Sequence, residues 1–146
     1  MTTTVISGNE LAAAWDTKFR ESPASDFYTG LGGQMFYVRA PAGTLPPYAI
    51  FFIPVRKPEN VSGAKVQRAM LQVNIYTNDA NAYAASDLLE KCEDEFDRAV
   101  LSPTGHEKTR LNVESIYDPL LDSEEDGAFW RASIEFWCLL QKTKTT

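Results

Sequence analysis

The one histidine and the two cysteines are the residues whose side chains most often serve catalysis or metal binding. His106 lies in a polar segment at residues 102–108, and a general base usually needs a second group to orient it. No such group is apparent, so we interpret His106 as a solvated loop histidine. Cys92 and Cys138 lack the C-x-x-C spacing of a zinc site. Each falls on an apolar stripe, so we interpret both as buried thiols that pack as small hydrophobes.

The acidic and glycine-rich segments do not match a known site. Residues 122–127 (Asp-Ser-Glu-Glu-Asp-Gly) are similar to the start of an EF-hand loop. The twelfth position is Ser133, where calcium needs a bidentate Glu, and the following residues predict a strand where the motif needs a helix. We interpret the segment as an acidic turn, and the acidic run at residues 90–97 as the wet side of a helix. Residues 30–33 (Gly-Leu-Gly-Gly) lead into a strand, without the features of a phosphate loop. We therefore expect no enzyme activity, no cofactor and no metal.

A basic group flanks a long polar loop that is predicted at residues 56–65. Its members are Arg56, Lys57, Lys65 and Arg68. They could contact a phosphate backbone or an acidic neighbour. Such a group is more often a solubilising hairpin tip, because exposed charges contribute little alone.

Length and composition predict one globular domain over residues 1–146. Lys and Arg number 14 against 20 Asp and Glu, a formal charge of −6, which argues against tight non-specific binding to nucleic acid. Hydrophobic residues at 44% exclude a disordered chain. No apolar run is long enough to span a membrane, and residues 1–6 do not form a secretory signal. Two free thiols fit a reducing compartment.

Hydrophobic periodicity predicts the order α-β-β-β-α-β-β. The first helix spans residues 8–21, with Ser7 and Glu10 as a capping box. The second is capped by Asn78 or Asp79 and ends by Pro103 and Gly105. Residues 23–33 are predicted as a loop. Strands are predicted at residues 34–39, 48–55, 66–76, 110–117 and 128–140. This order indicates an α+β fold, an antiparallel or mixed sheet of about four to five strands with two helices packed on it, between a short flexible lead and a polar tail.

The last predicted strand has large apolar residues on both faces. Trp137 and Leu139 alternate with the predicted core positions, and Arg131 lies on their face. This is more apolar surface than one small core needs, which indicates a partner chain along part of the strand. A helix of the same chain could also cover it.

Taken together, the layout resembles the tail-completion or tail-terminator proteins of tailed bacteriophages. The resemblance runs from about residue 10 to residue 142. It rests on Leu45-Pro-Pro-Tyr-Ala-Ile-Phe-Phe-Ile53, on Gln72-Val-Asn-Ile-Tyr-Thr77 leading into a capped Ala-rich helix, and on Phe129-Trp-Arg-Ala-Ser-Ile-Glu-Phe136. The loop at residues 26–33 and the acidic loop at residues 118–126 depart from the pattern.

The resemblance implies a structural virion protein of the tail or neck, assembled in the host cytoplasm. Members form a ring, commonly a hexamer, that caps the tail tube, joins it to head or neck proteins, and lets viral DNA pass without specific binding. Such a ring needs head-to-tail interfaces. The residues that we expect at subunit or neighbour interfaces are Arg56, Lys57, Lys65, Arg68, Arg131 and Trp137.

Two alternatives stay open. One is another head–tail connector or a minor tail protein. The other is a dimeric cytoplasmic α+β module that binds a ligand in a groove lined by exposed aromatic residues. A concave pocket with convergent polar groups would favour the module, and a flat, ring-forming surface would favour the virion protein.

Overall fold

The computed structural model describes residues 8–59, 65–123 and 129–143. The described residues form three helices, a five-stranded sheet and a two-stranded hairpin. Along the chain the elements are α1 (Gly8–Arg20), α2 (Asp26–Leu31), β1 (Met35–Tyr37), β2 (Tyr48–Pro58), β3 (Val66–Thr77), α3 (Tyr83–Phe96), β4 (Val100–Leu101), β5 (Thr109–Arg110), β6 (Asn112–Ser123) and β7 (Phe129–Gln141).

The five-stranded sheet has the order β1-β2-β3-β7-β6 and is mixed. β1 runs parallel to β2, and the other neighbours are antiparallel. The central pair, β3 and β7, is in continuous register, so Leu71 lies opposite Phe136 and Val73 opposite Ile134. The α+β fold with a mixed sheet is therefore confirmed.

The core lies between one face of this sheet and the helices. Period-two burial in β3 and β7 places Leu71, Ile75 and Phe136 in it, as their alternation predicts. Trp15 of α1 is fully buried, with its ring centroid 4.0 Å from that of Phe96 on α3 and 5.8 Å from that of Phe136. The aromatic cluster thus joins two helices to the centre of the sheet.

The predicted loop at residues 23–33 is wrong in part, because it contains the six-residue helix α2. The Ser25 hydroxyl accepts a hydrogen bond from the amide of Tyr28 at 3.1 Å, which caps the helix start. Phe27 and Leu31, four residues apart, are buried. Gly32 ends the helix in the left-handed conformation.

The predicted ends of the second long helix are also wrong. α3 begins at Tyr83 after Ala82, which makes no side-chain cap, and the Asn81 side chain instead accepts a hydrogen bond from the Tyr83 amide. The helix stops at Phe96 because Asp97 is extended and Arg98 has a positive φ of 66°. The segment predicted as its last turn therefore becomes β4.

The strands after α3 differ in length from the prediction. β6 extends to Ser123, so the first six residues of the nine-residue acidic loop predicted at residues 118–126 are strand. β2 likewise continues to Pro58, and the Glu59 amide donates to the Val66 carbonyl at 2.7 Å, so the loop predicted at residues 56–65 begins later. Ser7 of the predicted capping box and most of the residues of the acidic turn lie outside the described residues.

Candidate assembly surface

One face of the five-stranded sheet carries no helix in the described part of the chain. We call it the open face. Its side chains alternate along each strand with those of the core. On β1, β2, β3 and β7 it comprises Phe36, Tyr48, Ile50, Phe52, Arg68, Met70, Gln72, Asn74, Tyr76, Phe129, Arg131, Ser133, Glu135, Trp137 and Leu139.

Four aromatic rings cross the open face on four neighbouring strands. The ring centroids of Phe36 and Tyr48 are 6.5 Å apart, and those of Tyr48 and Tyr76 are 5.1 Å apart in a stacked arrangement. Phe129 continues the row at 5.7 Å from Tyr76. Cross-strand aromatic pairs at these distances stabilise a sheet beyond simple burial. Partial burial, followed by the neighbouring Tyr76 and Asp122, raises the pKa of Tyr48.

Polar side chains fill the centre of the open face. The Asn74 side-chain oxygen accepts hydrogen bonds from Gln72 at 2.9 Å and from the Ser133 hydroxyl at 2.7 Å. Tyr117 on β6 is hydrogen-bonded to Glu135, and this bond is the main reason why the pKa of Tyr117 is raised. These hydrogen bonds join the polar side chains to one another across β3, β7 and β6.

The far end of the open face combines a cation with an aromatic ring. The Arg68 guanidinium lies 4.3 Å from the centroid of Trp137, a cation–π contact. Its Nη2 is also 3.2 Å from a carboxylate oxygen of Glu114. Lys57 lies opposite Arg68 in the β2–β3 register and is exposed.

The structure brings together some of the predicted interface residues and separates others. Lys57, Arg68 and Trp137 share one end of the open face. Arg56 lies on the helix side, close to Gly8 at the start of α1, and its guanidinium donates to Gln67 at 3.2 Å. Arg131 pairs in register with Tyr76, six residues or about 20 Å along β7 from Trp137.

Lys65 is exposed just before β3. The interface role of all six residues stays a prediction.

The aromatic row on the open face was not predicted from the sequence. Its signal was present, because Tyr48, Tyr76 and Phe129 each occupy a non-core position at the end of a strand.

The interpretation of His106 as a solvated histidine is wrong. The side chain is buried, with Nδ1 2.9 Å from the Thr104 carbonyl oxygen, and the segment bridges to Lys142 beyond β7. Its Nε2 is buried without a hydrogen-bond partner among the described residues. The cysteines are buried as predicted. Burial raises the pKa of both thiols, that of Cys138 to about 11.

Glu95 is a half-buried carboxylate at the contact between α2 and α3. Burial is the main reason why its pKa is raised, while a hydrogen bond with Ser25 opposes the shift. One of its oxygens is buried without a partner among the described residues. Because Ser25 caps α2, this hydrogen bond connects α3 to the start of that short helix.

A groove of about 490 Å³ lies between α1 and the β1 edge. Its charged lining residues already form an ion pair and hydrogen bonds within the chain. The Arg20 guanidinium contacts Asp16 at 3.1 Å and the Met35 carbonyl oxygen at 3.0 Å. The groove therefore lacks the convergent free polar groups of a ligand site.

The described residues contain neither a metal-binding cluster nor a membrane-spanning helix. No group of three or more His, Cys, Asp or Glu side chains within the described residues is placed to hold a metal ion. Across the same residues, no helix is both long and apolar enough to cross a membrane.

Comparison with known proteins identifies the fold. No family model matches the chain, and no curated protein matches its sequence. Among solved structures, a chain of the virion of a native gene transfer agent particle has a TM-score of 0.65 at 14% identity, covering 89% of this chain and 96% of its own. A second solved protein, whose name states no function, has a TM-score of 0.65 at 13% identity and covers 97% of this chain and 100% of its own. At these identities the likeness shows a shared fold.

Proposed function

We propose that this chain is a structural protein of a phage or phage-like virion that acts as a tail terminator. In this role it forms a hexameric ring that caps the tail tube and joins it to head or neck proteins. It acts by assembly and not by catalysis. Its partners are copies of itself, the tail tube protein and the connector proteins.

The observation that carries the proposal is the fold match to a gene transfer agent virion chain. The match extends over nearly the full length of both chains, 89% of this one and 96% of the other. It therefore includes the sheet, whose open face and edges supply surface for neighbours. The sequence motifs that resemble tail terminators lie in β2, β3 and β7, the strands at the centre of this sheet.

The charge of the chain fits a conduit for DNA. Its formal charge is −6, and a ring of acidic subunits releases few counterions when a duplex enters. DNA would therefore pass without being held. A strongly basic channel would instead bind the phosphates.

Two measurements test the proposal. Native mass spectrometry over a concentration series, with negative-stain microscopy of the same samples, should show a closed ring with a central hole. Because some assembly proteins form rings only on their template, the protein should also be added to tail tube protein of the same particle during polymerisation. The tubes should stop growing and carry a ring at one end. Continued tube growth with no bound ring would refute the proposal.

The alternatives predict different outcomes. Another head–tail connector would bind at the neck without stopping tube growth, and a minor tail protein would bind elsewhere on the tail. A ligand-binding module would form a discrete dimer with a filled centre. The groove beside α1 does not favour the module, because Asp16 and Arg20 are bonded to each other.

A further inference from the structure

The five-stranded sheet ends in two edges that no strand of the described chain covers. β1 pairs with β2 only from Ala49 to Phe51, so β2 continues to Pro58 with β3 as its sole described neighbour. At the other edge, β6 is bonded to β7 alone. Uncovered edges present backbone donors and acceptors to a second chain.

Exposed apolar side chains concentrate at these two edges. Eight of the eleven large apolar residues that are exposed in the described chain lie there. Those at or beside the β1–β2 edge are Tyr37 on β1, Val38 and Leu45 in the connection from β1 to β2, and Val55 on β2. Those on β6 are Ile116, Tyr117, Leu120 and Leu121, and Leu120 reaches 65% exposure. Clustered exposed apolar surface marks interaction sites.

The two edges carry opposite charge. β2 contains Arg56 and Lys57 and no acidic residue; Glu59 follows it, and Lys65 lies across the hairpin, so this end of the edge has a net positive charge. β6 contains Glu114, Asp118 and Asp122 and no basic residue. Glu114 forms an ion pair with Arg68 of its own chain. Within the described residues, Asp118 and Asp122 form no ion pair and can therefore face a neighbouring subunit.

This charge pattern selects the geometry of association. A two-fold contact of β6 with β6, or of β2 with β2, would place like charges against each other, which is unfavourable. A head-to-tail contact of β2 with β6 places cations against carboxylates. Both edges are irregular, with three register shifts and Pro119 in β6 and with Pro54 at a register shift in β2. Such irregularities limit non-specific strand pairing with other proteins.

We infer that the basic β2 edge of one subunit docks on the acidic β6 edge of the next, so that the sheets continue from copy to copy around the ring. This rests on the proposed ring. The sheet supports a curved arrangement, because neighbouring strands are twisted by about 20–25° and β2 and β6, three steps apart, therefore differ in direction by roughly 60–75°. A repeated contact of this kind can close on itself.

Matched charge reversals test the contact. The first variant reverses the β2 edge with Lys57→Glu and Lys65→Glu. The second reverses the β6 edge with Asp118→Lys and Asp122→Lys. The control makes the same change of net charge as the second variant, at exposed α3 positions, with Glu90→Lys and Asp94→Lys. Circular dichroism melts check that each variant folds.

Each edge variant alone should associate at least about tenfold more weakly than the wild type, because its edges then carry the same sign. An equimolar mixture of the two should restore rings in which the variants alternate, visible by native mass spectrometry as equal numbers of each. The control should assemble like the wild type.

Two failures are distinguishable. If the wild type forms rings and both edge variants do so equally well, or if the control fails as they do, the edge contact is wrong while the ring stands. If the wild type forms no ring, alone or on tail tubes, or forms a two-fold dimer, then the ring proposal fails and the edge contact fails with it.

Discussion

Replacing Arg68 should lower the stability of the subunit measurably, although the residue lies on the surface. Its guanidinium stacks 4.3 Å from the Trp137 centroid, and about a third of its side chain is exposed. A cation–π contact of this kind contributes about 0.5–1 kcal/mol. The bond to Glu114 is partly screened by solvent and contributes about 0.2–1 kcal/mol. We therefore expect Arg68→Ala to lower the free energy of unfolding by about 0.7–2 kcal/mol in urea titrations.

A double-mutant cycle isolates the stacking contribution. The coupling free energy between Arg68→Ala and Trp137→Leu should be about 0.5–1 kcal/mol. It should persist at about 1 M salt, where the Debye length is about 3 Å and the Glu114 contribution falls. Arg68→Lys should lose most of the coupling, because an ammonium cannot stack as a planar guanidinium does.

Arg131→Ala is the matched control. It removes an exposed arginine from the same open face, with no hydrogen bond or ion pair in the described structure. Its effect should stay within about 0.5 kcal/mol. A coupling between Arg68 and Trp137 that is indistinguishable from zero would refute the reasoning, since it would mean that the stacked geometry contributes nothing to stability.

Three further predictions concern the packing of α2, the thiols and one carboxylate. A Cβ at Gly30 would lie 2.6 Å from Leu88 Cδ2, the end of a side chain that can shift, so overpacking of about 1–3 kcal/mol is offset by about 1 kcal/mol of gained helix propensity, and Gly30→Ala should destabilise the protein by at most about 2 kcal/mol. In a Leu88→Ala background the same change should stabilise, and an equal cost in both backgrounds would contradict the clash. Cys92 and Cys138 should resist thiol reagents at pH 8 until the protein unfolds, because burial raises both pKa values and withholds the thiolate; rapid labelling of folded protein would contradict this. The pKa of Glu95 is raised above the ordinary value of 4.5 for a glutamate, so its charged form is disfavoured in the folded state. Glu95 therefore stabilises the folded state fully at pH values below its pKa in the unfolded chain. This stabilisation is lost as the pH rises through its higher pKa in the folded protein. The unfolding free energy of the wild type, relative to Glu95→Gln, should rise as pH falls from 7 to 4, and a difference independent of pH would contradict the shift.

The long helices and strands could be predicted from the sequence because the burial of their side chains follows the period of the helix or strand along the chain. In β3 and β7, alternation alone places Leu71, Ile75 and Phe136 in the core. The buried side of α1 could be predicted in the same way, because the apolar residues Leu11, Trp15 and Phe19 recur every four residues.

The features that were missed depend on contacts distant in sequence. α2 has only six residues, too few for a periodic signal, and it persists because Phe27 packs against Phe19 and Phe96. α3 ends where Arg98 takes a positive φ, a conformation that an arginine does not signal. His106 is buried because its segment bridges to the residue after β7, which a local reading of a polar stretch cannot show.

The many apolar residues on both faces of β7 indicated a partner chain along that strand. In the structure, some of these side chains make contacts within the subunit. Trp137 makes a cation–π contact with the Arg68 guanidinium, and Phe129 packs against Tyr76 at the end of the aromatic row. The large apolar side chains that remain exposed lie mainly on other strands, at the β1–β2 edge and on β6. Association should therefore depend more on the sheet edges than on the centre of the open face, where Gln72, Asn74 and Ser133 already satisfy one another. Alanine at Leu120 should accordingly weaken ring formation more than alanine at Asn74, whose main effect should be on subunit stability, and the reverse order in native mass spectra and urea titrations would move the interface to the open face.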